Sequence, residues 1–309
     1  MVSEHYPRLR QSLPDGRLVL REGLILCLFM RRPHDTISRT IMRALNLYLD
    51  AVGHEKLGWY VDMGGDLASE EYKGWAGAVR PLDDAQWEKV RDELRAPSSC
   101  ILQLEEHENQ VGGFRFEYHG RSREDLDPPG FVSAVSFWLP TEYLEEHGPE
   151  HVKELAVAIA REVPLDSGYV SLAFNHLLPS KPVMQLIQEQ CFRYPGMDIQ
   201  DLSTTSMNLG EKVRGAYWLN FYGQTLLGRL GGAGGIRARL THHPEVSIEQ
   251  LSTQKVMVSM GQWPEAGDVE QKREMRSYRA LARVLEPYLY EEPTSRDLTR
   301  RWQRRFLDT

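Results

Sequence analysis

The hydrophobic residues of this chain follow two spacings, and each spacing predicts a different element. Between residues 36 and 52, apolar side chains recur every three or four positions, which is the spacing of one face of an α-helix. Gly53 then stands where glycine commonly ends a helix. Elsewhere, short apolar runs rich in β-branched and aromatic residues predict strands. The first run, Leu18–Met30, predicts two strands or one strand that bends at Glu22 and Gly23.

The middle of the chain predicts a series of antiparallel strands between helices. Asp83 occupies the N-cap position of a helix that should run to about residue 94. Three strands should follow in succession, at 100–104, 113–118 and 131–139. The charged, proline-containing stretch 120–130 should form an exposed loop between the last two. Pro140 and Thr141 then begin another helix, and a strand returns after it.

The second half of the chain continues the alternation of strands and helices. It predicts a strand at 216–221, a helical segment at 231–240 and two strands within 247–260. A helix should begin near Asp268 and end before Pro293. Its buried stripe should consist of Met275, Tyr278, Leu281, Ala282, Leu285 and Leu289. We therefore predict an α+β fold, with helices packed on a largely antiparallel β-sheet, as a single compact unit over residues 1–293.

The last residues, 294–309, differ from the rest of the chain in charge. They carry five arginines against two aspartates, a net charge of +3. Leu298, Trp302 and Phe306 stand at four-residue spacing, which predicts a short basic helix. Docking of this helix on an acidic body is the favoured interpretation. Contact with a nucleic acid or a membrane surface is the alternative.

Composition and charge are those of a folded, acidic protein. Of the 309 residues, 41% are hydrophobic and 26% are charged, which is typical of a globular chain with a sizeable core. The net charge is −7, so residues 1–293 carry −7 − 3 = −10. An acidic surface repels phosphate backbones, and we therefore expect no direct contact with nucleic acid. The same field attracts a basic protein partner.

Cysteine usage and the apolar runs indicate a cytoplasmic protein. Cys27, Cys100 and Cys191 lie far apart, without the Cys-x-x-Cys spacing of a zinc site or the even count of a disulfide framework. The apolar run 24–30 is too short to span a membrane and lacks the layout of a signal peptide. A buried strand is the better interpretation of this run, and we expect no contact with a membrane.

No stretch of the chain completes a known catalytic or cofactor motif. The glycine-rich segment 231–235 lacks the Lys-Ser or Lys-Thr of a P-loop, so a turn or close helix packing is expected there. Ser259 and Gly261 supply only half of a nucleophile elbow. The clusters 105–108 and 242–243 hold metal-ligand types, but each would need partners from elsewhere. We predict no catalytic residues, no metal and no cofactor, although ten histidines leave a site built from distant residues open.

Acidic side chains are the candidates for contact with a partner. Two groups stand in predicted turns: Glu105, Glu106 and Glu108 in one, and Glu124, Asp125 and Asp127 in the next. A third group lies on the helix that follows, at Glu142, Glu145, Glu146, Glu150 and Glu154. Such groups would speed association with a basic cleft and mimic phosphate. A solvated surface without a partner is the alternative. We favour the two turns, because loops on a rigid sheet commonly carry recognition.

Three chemically inert segments carry a family resemblance. They are Arg-Gly-Ala-Tyr-Trp-Leu-Asn-Phe-Tyr-Gly-Gln-Thr-Leu-Leu-Gly-Arg-Leu at 214–230, Gly-Tyr-Val-Ser-Leu-Ala-Phe-Asn at 168–175 and Gly-Gln-Trp-Pro-Glu-Ala-Gly-Asp at 261–268. With them the chain resembles the bacterial type VI secretion immunity proteins that neutralise VRR-Nuc-type nuclease effectors, from about Leu18 to about Tyr290. The resemblance implies a cytosolic antitoxin that binds and blocks a nuclease toxin. It implies no catalytic residues.

The sequence thus supports one leading hypothesis and two alternatives. The leading hypothesis is a stoichiometric, non-catalytic immunity protein that covers the DNA-binding or active-site surface of a nuclease effector. The first alternative is a small-molecule enzyme with an active site assembled from distant residues, which requires a cavity with convergent polar groups. The second is a scaffold module, which would present a symmetric apolar interface.

Overall fold

The fold is built around one mixed β-sheet. The computed structural model describes residues 4–62, 78–126, 130–176, 181–291 and 297–308. Within these ranges twelve strands form a single sheet. The strands are β1 Gln11–Ser12, β2 Leu18–Met30, β3 Trp59–Asp62, β4 Ala78–Pro81, β5 Cys100–Glu105, β6 Arg115–Gly120, β7 Ser133–Pro140, β8 Ser167–His176, β9 Met197–Asp198, β10 Leu219–Tyr222, β11 Ser247–Ser252 and β12 Lys255–Ser259.

Nine helices are found in the same part of the chain. They are α1 His34–Val52, α2 Asp84–Arg95, α3 Thr141–Glu162, α4 Lys181–Cys191, α5 Leu202–Asn208, α6 Gln224–Leu230, α7 Gly232–Arg239, α8 Arg276–Leu285 and α9 Asp297–Gln303. None of the helices in the described ranges is long and apolar enough to cross a membrane.

The strand order joins the two halves of the chain. It runs β11-β12-β10-β8-β2-β7-β6-β5-β3-β4, with β1 beside β2 and β9 beside β8. Apart from the short parallel pair β8 and β9, the neighbouring strands are antiparallel. The predicted fold class, helices on a largely antiparallel sheet, is confirmed. Because β2 lies between β7 and β8, this long strand ties the N-terminal meander to the C-terminal half.

Both faces of the sheet are buried at its centre, which explains the long apolar run of β2. Side chains alternate between faces along a strand. Leu24, Leu26 and Leu28 pack with α1 and α3 in one core. Ile25, Cys27 and Phe29 pack on the opposite face against α5 and the segment around Tyr217. Of the two predicted alternatives, two separate strands is wrong, since β2 is one strand of 13 residues.

A third core lies under the C-terminal helices. Val256 and Val258 of β12 pack against α6, α7 and α8. Of the predicted stripe, Met275, Tyr278, Leu281, Ala282 and Leu285 are buried, whereas Leu289 lies beyond the end of α8 and is only partly buried. In α1, the predicted face is buried as well.

Two elements of the second half begin later than predicted, each because a polar side chain binds backbone groups. The last long helix begins at Arg276, not near Asp268. The Asp268 carboxylate accepts the backbone N–H groups of Glu270 and Gln271, which fixes a turn instead of a helix start. The strand predicted from residue 216 begins at Leu219, because Asn220 bonds the backbone N–H and C=O of Tyr217 and bends the chain there.

The C-terminal residues dock on the body through apolar side chains. Trp302 is 3% exposed and packs in the same core as α1, whereas Phe306 is 4% exposed and packs in the core under α8. Arg305 lies between them, 3.8 Å from the Trp302 ring, and its Nε donates to the carbonyl of Pro195. The side chain of Leu298 lies outside the described residues. The division of the chain at residue 293 stays a prediction.

Candidate partner-binding surfaces

The turn between β5 and β6 carries two of the three predicted carboxylates of the first acidic group. Glu105 is not in this turn: it is the last residue of β5 and is 3% exposed. Its exposure was predicted wrongly, because the sequence does not show what faces it. In the register of the sheet Glu105 lies opposite Arg115, whose Nε is 2.6 Å from the Glu105 Oε1. The positive charge of Arg115 offsets the desolvation cost of burying the Glu105 carboxylate. Gln103 donates a hydrogen bond to it, at 2.7 Å.

Glu106 and Glu108 differ in what their carboxylates do. The Oε2 of Glu106 accepts the backbone N–H groups of Gly113 and Phe114, at 2.6 and 3.3 Å, and so closes the turn. Gly112 is needed for this geometry, because a Cβ there would come within 2.6 Å of the Glu106 side chain. Glu108 is exposed, and no described residue pairs with it. Only Glu108 in this group therefore offers a free charge.

The loop between β6 and β7 also has one carboxylate that is bound within the protein and one that is exposed. Asp125 accepts a hydrogen bond from the Ser99 hydroxyl and another from the backbone N–H of Ser122, the latter at 2.9 Å. These two bonds lower the pKa of Asp125 below its ordinary value. Glu124 is exposed, and no described residue pairs with it. Asp127 lies outside the described residues.

The two acidic groups lie at opposite ends of the sheet. Glu105 pairs with Arg115 at one end of the β5–β6 hairpin, and Cys100 pairs with Gly120 at the other. Five residue steps along a strand span roughly 17 Å. The two groups are therefore separated by the length of the hairpin, and a single loop of a partner does not contact both.

The acidic helix α3 does not present one continuous stripe. Glu142 is bound by Arg10 and Arg21, and Glu145 by Arg8, so these charges hold the N-terminal segment on the sheet. Burial opposes ionisation of Glu142, but the Arg10 hydrogen bond, its own backbone N–H and the Arg21 charge outweigh it and lower its pKa to about 2. The helix bends at Gly148, where φ is 81°. All five glutamates are exposed, but among the described residues no arginine binds Glu146, Glu150 or Glu154.

The segment 261–268, which carries part of the family resemblance, has a structural role. The backbone of Ala266 bonds His5 and Gly196, and the indole of Trp218 donates to the carbonyl of Gly261. The same segment lines an open groove of about 500 Å³, beside the stacked rings of His5 and Trp263. Its inert composition therefore reflects packing and backbone hydrogen bonds.

The metal and phosphate candidates give no site in the part of the chain that the structure describes. There, no group of three His, Cys, Asp or Glu side chains could hold a metal ion. The glycine-rich segment is the start of α7, and a Cβ at Gly235 would lie 2.3 Å from the carbonyl oxygen of Leu230. Close helix packing, one of the two expected interpretations, accounts for this glycine.

One polar group was missed by sequence reasoning. On the face of β5, β6 and β7 opposite α1, polar side chains from three strands stand in register, and we call them the polar face: Gln103, Glu105, Arg115, Glu117, His119 and Ser136. His119 Nε2 is 2.8 Å from Glu117 Oε1. The signal in the sequence was alternation, because every second residue of 101–105 and 115–119 faces this side, and most of them are polar.

Comparison with known proteins identifies the family. The family described as TsiV, type VI immunity for VRR-NUC, matches residues 40–308. Among solved structures, the chain is similar to the Pseudomonas aeruginosa T6SS protein PA0821, with a TM-score of 0.77 and 16% sequence identity over 96% of this chain and 87% of that one. That similarity is one of fold. No protein with curated annotation matches the chain. The resemblance predicted from the sequence is thus confirmed, and the chain belongs to the type VI immunity family for VRR-NUC.

Proposed function

We propose that this protein is a stoichiometric, non-catalytic inhibitor that binds a VRR-NUC effector in the cytoplasm and covers its DNA-binding or active-site surface. The observation that carries the proposal is the family match over residues 40–308. No covalent step is required, because occupying the surface that grips DNA is enough to stop a nuclease.

The charge of the chain supports this mode of inhibition. A nuclease must hold a polyanion, and proteins do so with Lys and Arg side chains. The immunity protein has a net charge of −7, so the long-range field draws the two proteins together. Exposed charges set the association rate, and close contact at the interface sets the dissociation rate.

The predicted contact residues have different roles in this proposal, because some are exposed and others are bound within the protein. Glu108 at one end of the sheet and Glu124 at the other are exposed, with no partner among the described residues, and can reach an incoming protein. Glu106 and Asp125 support the loops that present them. Glu105 is paired with Arg115 and belongs to the polar face, so it is not an exposed contact. Asp127 stays a proposed contact from the sequence.

A titration of the effector's nuclease activity tests the proposal. We expect activity to fall in proportion to added immunity protein and to vanish at one equivalent, with a 1:1 complex in light scattering after gel filtration. Loss of activity that continues with time at a few hundredths of an equivalent would indicate catalysis, and would favour the enzyme alternative. An effector that stays fully active, with no complex formed, would reject both the binding and the blocking.

A further inference from the structure

The polar face lies on three neighbouring strands with its side chains in one band. Gln103, Glu117 and Ser136 are directly opposite one another across β5, β6 and β7. Glu105 pairs with Arg115 one step toward the turn. Since side chains two residues apart share a face, these groups point to the same side of the sheet.

Several buried polar atoms in this band lack a hydrogen-bond partner. Within the described structure they are Oε2 of Glu105, Nε of Arg115, whose approach to Glu105 lacks hydrogen-bond geometry, Nδ1 of His119, Oγ of Ser136 and Nε1 of Trp138, the next residue of β7 on this side. The five residues are 3%, 8%, 3%, 0% and 3% exposed. Buried polar atoms in native proteins are nearly always bonded, because an unsatisfied one costs about 1–3 kcal/mol. Their concentration on one patch marks a polar network that the protein's own side chains leave incomplete.

Access to the band is from the β5 side. Ile101, which faces the same way as His119 in the register, is 42% exposed and is among the few large apolar side chains at the surface of the described chain. The Glu117 side chain is 19% exposed. An apolar residue beside a partly open carboxylate is the arrangement of an interface anchor with a polar neighbour.

The charges of the band select a cation. Glu105 and Glu117 bring two negative charges against the single positive charge of Arg115. Burial, with the nearby Arg115 charge, lowers the pKa of His176 to about 4, so this histidine adds no positive charge at neutral pH. The Glu117 carboxylate, the partly exposed one of the two, can accept a hydrogen bond from an ammonium or guanidinium group.

We propose that the polar face receives a lysine or arginine side chain of the VRR-NUC effector, with Glu117 as its direct acceptor and Ile101 packing against its aliphatic part. The proposal rests on the proposed function, since it names the surface through which this chain would bind its effector. Basic side chains bury their methylene stems along apolar groups while their charged ends find carboxylates, which fits the pairing of Ile101 with Glu117.

The test is the affinity of Glu117→Gln for the effector, with Glu189→Gln, on the exposed side of α4, as the matched control. Both changes remove one negative charge, but only the first removes it from the polar face, and glutamine can keep the contact with His119. We expect the dissociation constant to rise roughly tenfold or more for Glu117→Gln, since a charge-assisted bond is lost, and less than about twofold for the control. Urea unfolding midpoints of both variants should match the wild type.

Ile101→Lys gives a second variant that should fold, because the side chain it replaces is half exposed. It places a positive charge where the effector's own would sit, and we expect it to weaken binding at least as much. A third readout is the ¹⁵N imidazole signals of His119, which should shift when the effector binds. These measurements separate contact with the partner from support of the fold.

The outcomes separate this inference from the function on which it rests. Wild-type protein that does not bind the effector would reject the proposed function. Wild-type protein that binds, with Glu117→Gln and Ile101→Lys binding as tightly and His119 unshifted, would overturn only the inference and would mean that water alone satisfies the polar face.

Discussion

The two ends of the β5–β6 hairpin carry acidic groups that look alike in sequence and differ in what holds them. At one end, the charge of Glu105 is neutralised by Arg115 across the strand pair, and the Glu106 carboxylate accepts hydrogen bonds from backbone N–H groups. In the loop at the other end, Asp125 is fixed by the Ser99 hydroxyl and the Ser122 backbone. Each end leaves one exposed carboxylate without a described partner. The number of acidic residues in a loop is therefore a poor measure of the charge it offers to a partner.

The largest expected effect separates the buried member of the first acidic group, Glu105, from its exposed member, Glu108. Glu105→Ala should lower the free energy of unfolding by about 3 kcal/mol, because it leaves the Arg115 guanidinium buried without its countercharge. Glu108→Ala should change it by less than about 0.5 kcal/mol. Urea unfolding of the two variants measures both. Equal stabilities would show that the Glu105–Arg115 pair is not needed for the hairpin.

A smaller loss is expected for the residue that closes the turn. Glu106→Ala leaves the N–H groups of Gly113 and Phe114 without their acceptor and should cost about 2 kcal/mol. Hydrogen exchange should localise the effect, with faster exchange at these two amides and unchanged exchange in α1. Protection of both amides in the variant would mean that another group takes over the role of Glu106.

The sequence predicts local features of this fold better than its long-range ones. The buried face of α1 and the meander β5, β6 and β7 follow from spacing and short connections. The placement of β2 between β7 and β8 depends on pairings more than one hundred residues apart, which no local pattern encodes. The same holds for the candidate surfaces: the burial of Glu105 is decided by the residue that the register sets opposite it, and this residue is ten positions away.

Charge reversal decides which end of the sheet faces the effector. Glu108→Lys and Glu124→Lys each change the charge by two units at opposite ends, on side chains that bond no described residue. We expect the association rate to fall about fivefold for the end that approaches the effector and to stay within about twofold for the other, because exposed charges act mainly on encounter. Stopped-flow kinetics at two salt concentrations measures this. An association rate that neither charge reversal nor salt changes would mean that the acidity of the loops plays no part in binding.

The smallest effect concerns pH and the loop that Asp125 holds. Hydrogen bonds from the Ser99 hydroxyl, and next from the Ser122 backbone, lower the pKa of Asp125 in the folded state. A carboxyl whose pKa is lower when folded adds stability above its unfolded pKa, about 3.9 for aspartate, and loses it as the pH falls through the folded value. Asp125→Asn should therefore be less stable than wild type at pH 6, by under about 1 kcal/mol because the group is close to solvent, and the difference should shrink at pH 3. Glu124→Gln, one residue away, should show no such convergence. A wild-type advantage over Asp125→Asn that is the same at both pH values would show that the ionisation of Asp125 does not hold the loop.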